Sequence, residues 1–304
     1  MRSLRTLSAT GLLAAALLTG SAALAAPLDG TAVPAASAGT DPFAYRRGPV
    51  TITQHGVENR DGVLVRDITY AARDGDPVRA YLVEPVRKGH YPAVLYLHWF
   101  EPPNPTSSRL EFLDEAVARA RQGAVALLPD LTFPWSIDVV GDQRDVANVV
   151  AQTVRLRRGL DLLTARAGVA RVAVVGHDYG GMYGLLLASV DQSRVSAAVA
   201  MNVDATFSNW FATFFLGLSG DATIAYEKLF ERVDPIRFVA DRRGVPLLFQ
   251  FAEPDFFVPD STRRTLVSLA AEPKDYHLYP DAGHELDAAA RADREAWLSA
   301  HLGR

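Results

Sequence analysis

The chain has 304 residues, of which 49% are hydrophobic and 22% charged, and this balance excludes a disordered or fibrous protein. Its net charge of -4 offers no general attraction for nucleic acid, so no nucleic-acid partner is expected. The chain has no cysteine, and its seven histidines form no H-x-x-x-H pair, so disulfides and thiolate catalysis are excluded and no metal site or other cofactor is predicted.

The first 25 residues have the pattern of a secretory signal peptide. Arg2 and Arg5 form a positive start, "GLLAAALLTG" is an apolar middle, and Ala23-Leu24-Ala25 is a small-residue cleavage site. The apolar stretch is shorter than the ~20 residues that a membrane-spanning helix needs. We therefore expect a secreted or periplasmic protein without stable membrane association, and a membrane anchor is the alternative.

Residues 26–62 are predicted to form an N-terminal leader. This segment is rich in Ala, Pro, Gly and Ser up to residue 48, which is typical of a loose chain. No internal repeat and no second linker follow, so one domain is expected over residues 63–304.

Strand and helix patterns alternate through this domain. Apolar or alternating runs predict strands near Val63–Ala72, Val78–Glu84, Ala93–His98, Val125–Pro129, Val172–Gly176, Val195–Val203, Pro246–Ala252 and Asp275–Tyr279. Helices are predicted over Arg109–Arg121, Asp142–Ala167, Gly181–Val190, Ser261–Ala270 and Glu285–Leu302. The alternation predicts an α/β fold, with a mostly parallel, eight-stranded sheet covered by helices on both faces.

Residues 205–244 interrupt the alternation. They include "FSNWFATFFLGLSG", in which four phenylalanines and one tryptophan lie close together. Two interpretations remain open: the segment is a buried helix, or it is a small lid whose aromatic face covers a substrate pocket.

The stretch "VAVVGHDYGGMYG", residues 172–184, has the pattern of a nucleophile elbow. A run of β-branched residues ends in a tight turn and continues directly into a helix. Gly176 and Gly180 leave room for the turn, and the central residue is Asp178. The amino end of the following helix favours a negative charge there. A carboxylate at this position is therefore predicted to be the reactive group.

Two further residues complete a candidate triad. Asp255 follows the strand in "PLLFQFAEPD", and His284 follows the last strand in "YPDAGHELD". The chain order nucleophile, acid, histidine is the one found around such an elbow. Asp204, after an earlier strand, is the alternative acid, and a helix-capping role for Asp255 is also open.

The segment "LYLHWFEPP" lies where a loop would face the elbow. The backbone N–H of Tyr179 is expected to be one donor of an oxyanion hole, and Trp99 or Phe100 is expected to supply the other. His98 and His177 are predicted to be structural hydrogen-bonding residues rather than catalysts.

Together these motifs resemble the α/β-hydrolase superfamily over residues 63–304. The elbow "GHDYGG" is similar to that of epoxide hydrolases and haloalkane dehalogenases, whose nucleophile is an aspartate. The rest of the layout, with its short insertion, is similar to dienelactone-hydrolase-like enzymes, which usually carry serine or cysteine at the elbow. Relatives usually have glycine after the histidine of the oxyanion loop, so Trp99 is a departure from the pattern.

The resemblance implies a secreted hydrolase that acts on a small organic molecule with an Asp178–His284–Asp255 triad. A carboxylate that attacks a saturated carbon forms a stable alkyl ester, so an epoxide or a carbon–halogen bond is the expected target. Tyr226 and Trp210 are proposed to assist the leaving group, and Tyr179, Tyr183, Trp135 and Trp99 are the other candidates. Ester or lactone hydrolysis, and a non-catalytic binding protein on the same fold, are the alternatives.

Overall fold

The computed structural model describes residues 41–72, 76–166, 169, 172–242 and 244–302. The predicted signal peptide, residues 1–25, and residues 26–40 of the predicted leader lie outside these ranges. Among the helices that the ranges contain, none combines the length and the apolar composition that crossing a membrane requires.

One sheet of nine strands organises the described part of the chain. The strands are β1 (Ile52–Asn59), β2 (Val63–Ala71), β3 (Pro77–Pro85), β4 (Ala93–Leu97), β5 (Val125–Pro129), β6 (Val172–His177), β7 (Val195–Met201), β8 (Leu247–Glu253) and β9 (Lys274–Pro280). They lie in the order β1-β2-β3-β5-β4-β6-β7-β8-β9. The pairs β1–β2, β2–β3 and β3–β5 are antiparallel, and every later pair is parallel. The prediction of a mostly parallel sheet is confirmed.

The predicted number of eight strands was wrong, because β1 lies inside the segment predicted as leader. β1 is exposed along nearly its whole length, so it lacks the alternation of apolar residues that reveals a half-buried strand. It pairs with β2 from Ile52 opposite Tyr70 to Asn59 opposite Leu64. Upstream of β1, the side chain of Phe43 is fully buried. The chain therefore packs on the sheet domain well before residue 63.

The five predicted helices are present, and further short helices lie in the insertion. The long helices are α1 (Leu113–Arg121), α2 (Gln143–Thr164), α3 (Tyr179–Val190), α6 (Asp260–Leu269) and α7 (Ala288–Leu302). Side chains of α1 and α7 share one apolar core cluster with one face of the sheet. Those of α2, α3 and α6 share a second cluster with the other face. The predicted helix layers on both faces are confirmed.

The insertion at residues 205–244 is partly buried, as the first interpretation predicts, and also borders a pocket; its role as a lid stays a prediction. It consists of α4 (Phe207–Trp210), a π-helix (Phe211–Leu216), α5 (Asp221–Leu229) and a short 3-10 helix (Pro235–Arg237). Phe207, Trp210 and Phe211 are buried, whereas Phe214 and Phe215 are partly exposed beside a pocket. One face of the insertion therefore completes the core and the other face forms a pocket wall.

Candidate active site

Asp178 lies in the tight turn between β6 and α3. Its φ of 56° and ψ of -128° place it in a region of backbone space that side chains rarely adopt. A Cβ on Gly176 would collide with the carbonyl oxygen of Gly180, and a Cβ on Gly180 would collide with that of Leu97. Only glycine fits these two positions, which is why the turn can bring Asp178 to the carboxyl edge of the sheet.

The carboxylate of Asp178 is held by the loop that follows β4. The backbone N–H of Phe100 donates a hydrogen bond of 2.7 Å to Oδ2 of Asp178. Burial raises the pKa of Asp178 to about 7, although nearby His284 and the backbone N–H groups of Phe100 and Tyr179 lower it. The group is therefore ionised mainly above neutral pH.

His284 and Asp255 are brought together as the sequence predicts. Nδ1 of His284 lies 2.7 Å from Oδ2 of Asp255, and both follow the carboxyl ends of neighbouring strands, β9 and β8. Burial alone would raise the pKa of Asp255, but the hydrogen bond from His284 and two backbone N–H groups outweigh it, so this pKa is lowered. Asp255 is therefore an anion and can orient the His284 ring.

Asp204, the alternative acid, is committed to its own loop. Its two carboxylate oxygens accept hydrogen bonds from the backbone N–H of Thr206, at 2.9 Å, and from the side-chain amide of Asn209, at 2.8 Å. Burial raises the pKa of Asp204 to about 6. The structure thus places Asp255, and not Asp204, against His284.

Of the two residues offered for the second oxyanion donor, only Phe100 faces Asp178. The backbone N–H of Trp99 instead donates to Oε2 of Glu111 at 2.7 Å, and its indole N–H donates to Thr106 at 3.1 Å. The expectation for Trp99 as a donor was wrong, because both of its N–H groups have other partners. A hydrogen bond from the backbone N–H of Tyr179 also lowers the pKa of Asp178.

A pocket of about 230 Å³ opens above Asp178. Its wall is mainly aromatic, and its ionisable members besides Asp178 and Tyr179 are His284 and the acid Glu101. The lining residues are Phe100, Glu101, Pro102, Asp178, Tyr179, Trp210, Phe214, Phe215, Phe257 and His284. This size and lining suit a small, largely apolar molecule.

The two residues proposed to assist the leaving group do not offer a free donor to this pocket. The hydroxyl of Tyr226 donates to Oδ2 of Asp145 at 2.7 Å, and Tyr226 is not among the lining residues. Trp210 lines the pocket, but its indole N–H donates to the carbonyl oxygen of Phe257 at 3.0 Å. Both expectations were wrong because each donor is already hydrogen-bonded to an acceptor within the protein, as most buried polar groups are. The hydroxyl of Tyr179, by contrast, is buried without a hydrogen-bond partner.

The two histidines predicted to be structural are both hydrogen-bonded through both ring nitrogens. Nδ1 of His98 contacts the carbonyl oxygen of Trp99 at 3.1 Å, and its Nε2 accepts from the N–H of Leu131 at 2.9 Å. His177 contacts Oε1 of Glu111 and the carbonyl oxygen of His284. Burial lowers the pKa of each imidazole to about 4.

Glu111 is the residue near the site that the sequence analysis missed. It lies in the irregular segment before α1, outside every motif, so no spacing pointed to it. The available signal was a carboxylate directly before the apolar pair Phe112-Leu113. Within the described ranges, no group of three or more histidine or acidic side chains is placed to hold a metal ion.

Comparisons with known proteins agree with this architecture. A family model described as the α/β-hydrolase fold matches residues 150–228, which contain the elbow. Searching curated proteins by sequence gives no match. An acetyl xylan esterase from Paenibacillus sp. R4 superposes with a TM-score of 0.66 at 19% identity, covering 83% of this chain and 89% of the esterase.

Two more solved structures are similar. Acetyl xylan esterase 1 from Thermoanaerobacterium sp. JW/SL YS485 has a TM-score of 0.64 at 15% identity, covering 82% of this chain and 86% of its own. Est1E from Butyrivibrio proteoclasticus has a TM-score of 0.57 at 15% identity, covering 78% and 96%. At such low identity the likeness establishes the fold, so the α/β-hydrolase fold expected from the sequence is confirmed.

Proposed function

We propose that this protein is a hydrolase that acts on a small, uncharged and largely apolar molecule through Asp178, His284 and Asp255. One observation carries the proposal: the backbone N–H of Phe100 holds Oδ2 of Asp178 at the edge of the pocket. The donor that would stabilise an oxyanion is thus already aimed at the carboxylate itself. This arrangement suits a carboxylate that becomes an ester and is then hydrolysed.

In the first step, Oδ1 of Asp178 attacks a saturated carbon of the substrate. A carbon–oxygen bond forms while the bond to the leaving oxygen or halogen breaks, and the leaving atom takes the electron pair. The step needs the carboxylate form, whose population grows as the pH rises through about 7. The apolar pocket accelerates this attack because it excludes water from the nucleophile.

In the second step, His284 takes a proton from water, and the hydroxide oxygen attacks the carboxyl carbon of the Asp178 ester. Negative charge then develops on Oδ2, where the N–H of Phe100 already points. Asp255 stabilises the imidazolium through its 2.7 Å contact with Nδ1. Collapse of the intermediate breaks the bond between the carboxyl carbon and the alkyl oxygen, and the His284 imidazolium returns its proton to that oxygen, which leaves as an alcohol. Asp178 is regenerated as a carboxylic acid, which loses its proton to solvent.

Opening of an epoxide also requires a proton for the leaving oxygen. The hydroxyl of Tyr179 is the candidate donor, because it is buried, lacks a hydrogen-bond partner and belongs to a pocket-lining residue. Its pKa is raised well above its usual range by burial and by Asp178, so it remains protonated. An epoxide or a carbon–halogen bond is accordingly the target that the site geometry favours.

Ester hydrolysis is the second candidate, and the comparisons favour it. The named solved structures of the same fold include two acetyl xylan esterases. In this chain, Asp178 would act on the ester as a base for water or as a nucleophile that forms a mixed anhydride. The donors that would stabilise the ester oxyanion are engaged with Asp178, which is why we place this reaction second.

Trapping of the covalent intermediate tests the proposal. His284→Gln removes the base of the second step, so an epoxide or an alkyl halide should leave a mass adduct on the Asp178 peptide. The double variant Asp178→Asn, His284→Gln is the control and should carry no adduct. Turnover of an ester panel by the wild type, without an adduct from either alkylating substrate, would select ester hydrolysis. Binding without turnover of any substrate would identify a non-catalytic protein.

A further inference from the structure

One carboxyl group outside the triad contacts two of the segments that build the site directly and reaches a third through His177. Oε2 of Glu111 accepts the backbone N–H of Trp99, and its Oε1 lies 2.7 Å from Nδ1 of His177. Nε2 of His177 in turn lies 2.8 Å from the carbonyl oxygen of His284. Trp99 precedes the donor Phe100, and His177 precedes Asp178. The Glu111 side chain is 13% exposed, so the network is nearly closed to water.

The hydrogen-bond partners limit where the protons of this network can be. A carbonyl oxygen only accepts, so Nε2 of His177 must carry a hydrogen and donate it to His284. If the imidazole is neutral, Nδ1 is an acceptor, and Oε1 of Glu111 must then carry a hydrogen and donate it. If the imidazole is charged, Glu111 is a carboxylate. One proton thus decides between a neutral pair and an ion pair.

The surroundings favour the neutral pair. Burial raises the pKa of Glu111 well above its usual range and lowers the pKa of His177 to about 4. Glu115 adds to the rise for Glu111, while the Trp99 N–H, Arg294 and His284 oppose it. Arg294 is itself paired with Glu115 at 2.7 Å. This ion pair weakens the effect of the Arg294 charge on the pKa of Glu111.

The other charged side chains that shift the pKa of His177 act through their charge and not through a hydrogen bond. The N–H···O bond to His284 favours the protonated ring, as do Asp255 and Glu285, while Arg294 disfavours it. Trp99 lies stacked on the His177 ring, with 5.1 Å between centroids and 12° between planes. This aromatic cover excludes water from one face of the imidazole, which adds to the cost of charging it, while the π face of Trp99 would attract a charged ring and offset part of that cost.

We propose that Glu111 is a positioning residue that works as a neutral carboxylic acid, donating to His177 and accepting from Trp99. Given the proposed function, its task is to fix three things together: the N–H of Phe100, the backbone beside Asp178 and the loop that carries His284. Asn202 supports the last of these, because its side-chain amide also donates to the carbonyl oxygen of His284. A neutral Glu111 also adds no negative charge near the carboxylate of Asp178, whose ionisation the reaction requires.

A glutamine amide matches a neutral carboxylic acid in shape and in hydrogen bonding, since its NH2 can donate to His177 and its oxygen can accept from Trp99. Glu111→Gln should therefore keep kcat within about twofold and leave the pH profile unchanged. Glu111→Ala should lower kcat by about a hundredfold with little change in KM, because the site loses its alignment. Exposed Glu231→Ala is the surface control. Thermal melting checks that each variant is folded.

Two readouts do not depend on turnover. Nitrogen-15 NMR at pH 7.5, assigned with His177→Gln, should show one protonated and one bare ring nitrogen for His177. Hydrogen exchange at the Phe100 amide should be slow in the wild type and in Glu111→Gln, and faster in folded Glu111→Ala. Two protonated nitrogens on His177, or equal losses in the glutamine and alanine variants, would overturn the proposal. Absence of turnover in the wild type would count against the proposed function alone, because these two readouts would still decide the role of Glu111.

Discussion

The backbone N–H of Phe100 lies 2.7 Å from Oδ2 of Asp178, so the loop after β4 and the elbow after β6 meet at a single carboxylate. The contact crosses between neighbouring parallel strands and exists only in the folded sheet. It fixes Oδ2 of Asp178 against the loop after β4. The predictions below test the charge, the partners and the surroundings of that carboxylate.

The pH dependence of kcat/KM should follow the ionisation of Asp178. Because burial raises its pKa to about 7, the free enzyme loses the reactive carboxylate as the pH falls below that value. We expect kcat/KM to drop by about tenfold for each pH unit on the acid side of pH 7. Initial rates from pH 5 to pH 9 measure this limb. A limb centred near pH 4 would contradict the burial of a reactive Asp178.

Replacement of Asp178 by asparagine should stabilise the fold at alkaline pH. The pKa of Asp178 is higher in the folded chain, about 7, than its ordinary value of 3.8, so ionisation of Asp178 disfavours the folded state. The unfavourable contribution grows from about pH 4 and is complete above about pH 7. Asp178→Asn should therefore raise the free energy of unfolding at pH 8, by up to about 4 kcal/mol, and by less at pH 5.

Urea unfolding at the two pH values measures this difference. The exposed residue Asp138 provides the control, since Asp138→Asn removes a carboxylate that is already in water. An equal effect of Asp178→Asn at pH 5 and pH 8 would show that residue 178 is not a buried acid. Asp178→Asn should also hydrolyse substrate more than about a thousandfold more slowly than the wild type.

Asp255→Asn should slow the second step more than the first. The substitution removes the anion that orients His284 and stabilises the imidazolium, so kcat should fall by about 10²–10⁴-fold and covalent adduct should accumulate. Asp204→Asn is the matched comparison, because Asp204 bonds to Thr206 and Asn209 and not to His284. Rapid-quench mass spectrometry compares the two variants. Greater loss in Asp204→Asn would reassign the acid.

The aromatic wall of the pocket should set KM. Phe215 packs against Phe100 with 5.4 Å between ring centroids and borders the pocket. Phe215→Ala should raise KM for an apolar substrate by about tenfold and change kcat by less than about twofold, since mainly contact area is lost. Phe256, which is 82% exposed and outside the lining, gives the control Phe256→Ala. Steady-state kinetics on the two variants should separate them clearly.

The sequence was most informative where a motif and a strand end coincide. Asp178, Asp255 and His284 each follow a strand that is apolar or followed by a clear turn, and the parallel sheet carries these ends to one edge. Close packing at Gly176 and Gly180 requires glycine, so the elbow can be recognised as a sequence motif. Local chemistry and long-range geometry give the same answer at these positions.

Other features depend on contacts that the sequence does not encode locally. β1 is held by hydrogen bonds to β2 while its side chains remain exposed, so its composition resembles that of a loop. From the sequence alone, the N–H and O–H donors of Trp99, Trp210 and Tyr226 could be assigned to a ligand. In the folded chain each donates a hydrogen bond to a protein acceptor instead. Glu111 was missed for the same reason, since its partners Trp99 and His177 lie in the loop after β4 and at the end of β6.

The hydrogen bond from the Phe100 N–H to Asp178 affects which chemical probes can label this protein. A phosphorylating probe designed for serine hydrolases needs a hydroxyl nucleophile and free oxyanion-hole donors for its phosphoryl oxygen. Here the nucleophile position holds Asp178, and the Phe100 N–H is already bonded to its carboxylate. A screen built on such probes would pass over this protein, whereas a neutral electrophile such as a terminal epoxide carrying a reporter group should label it.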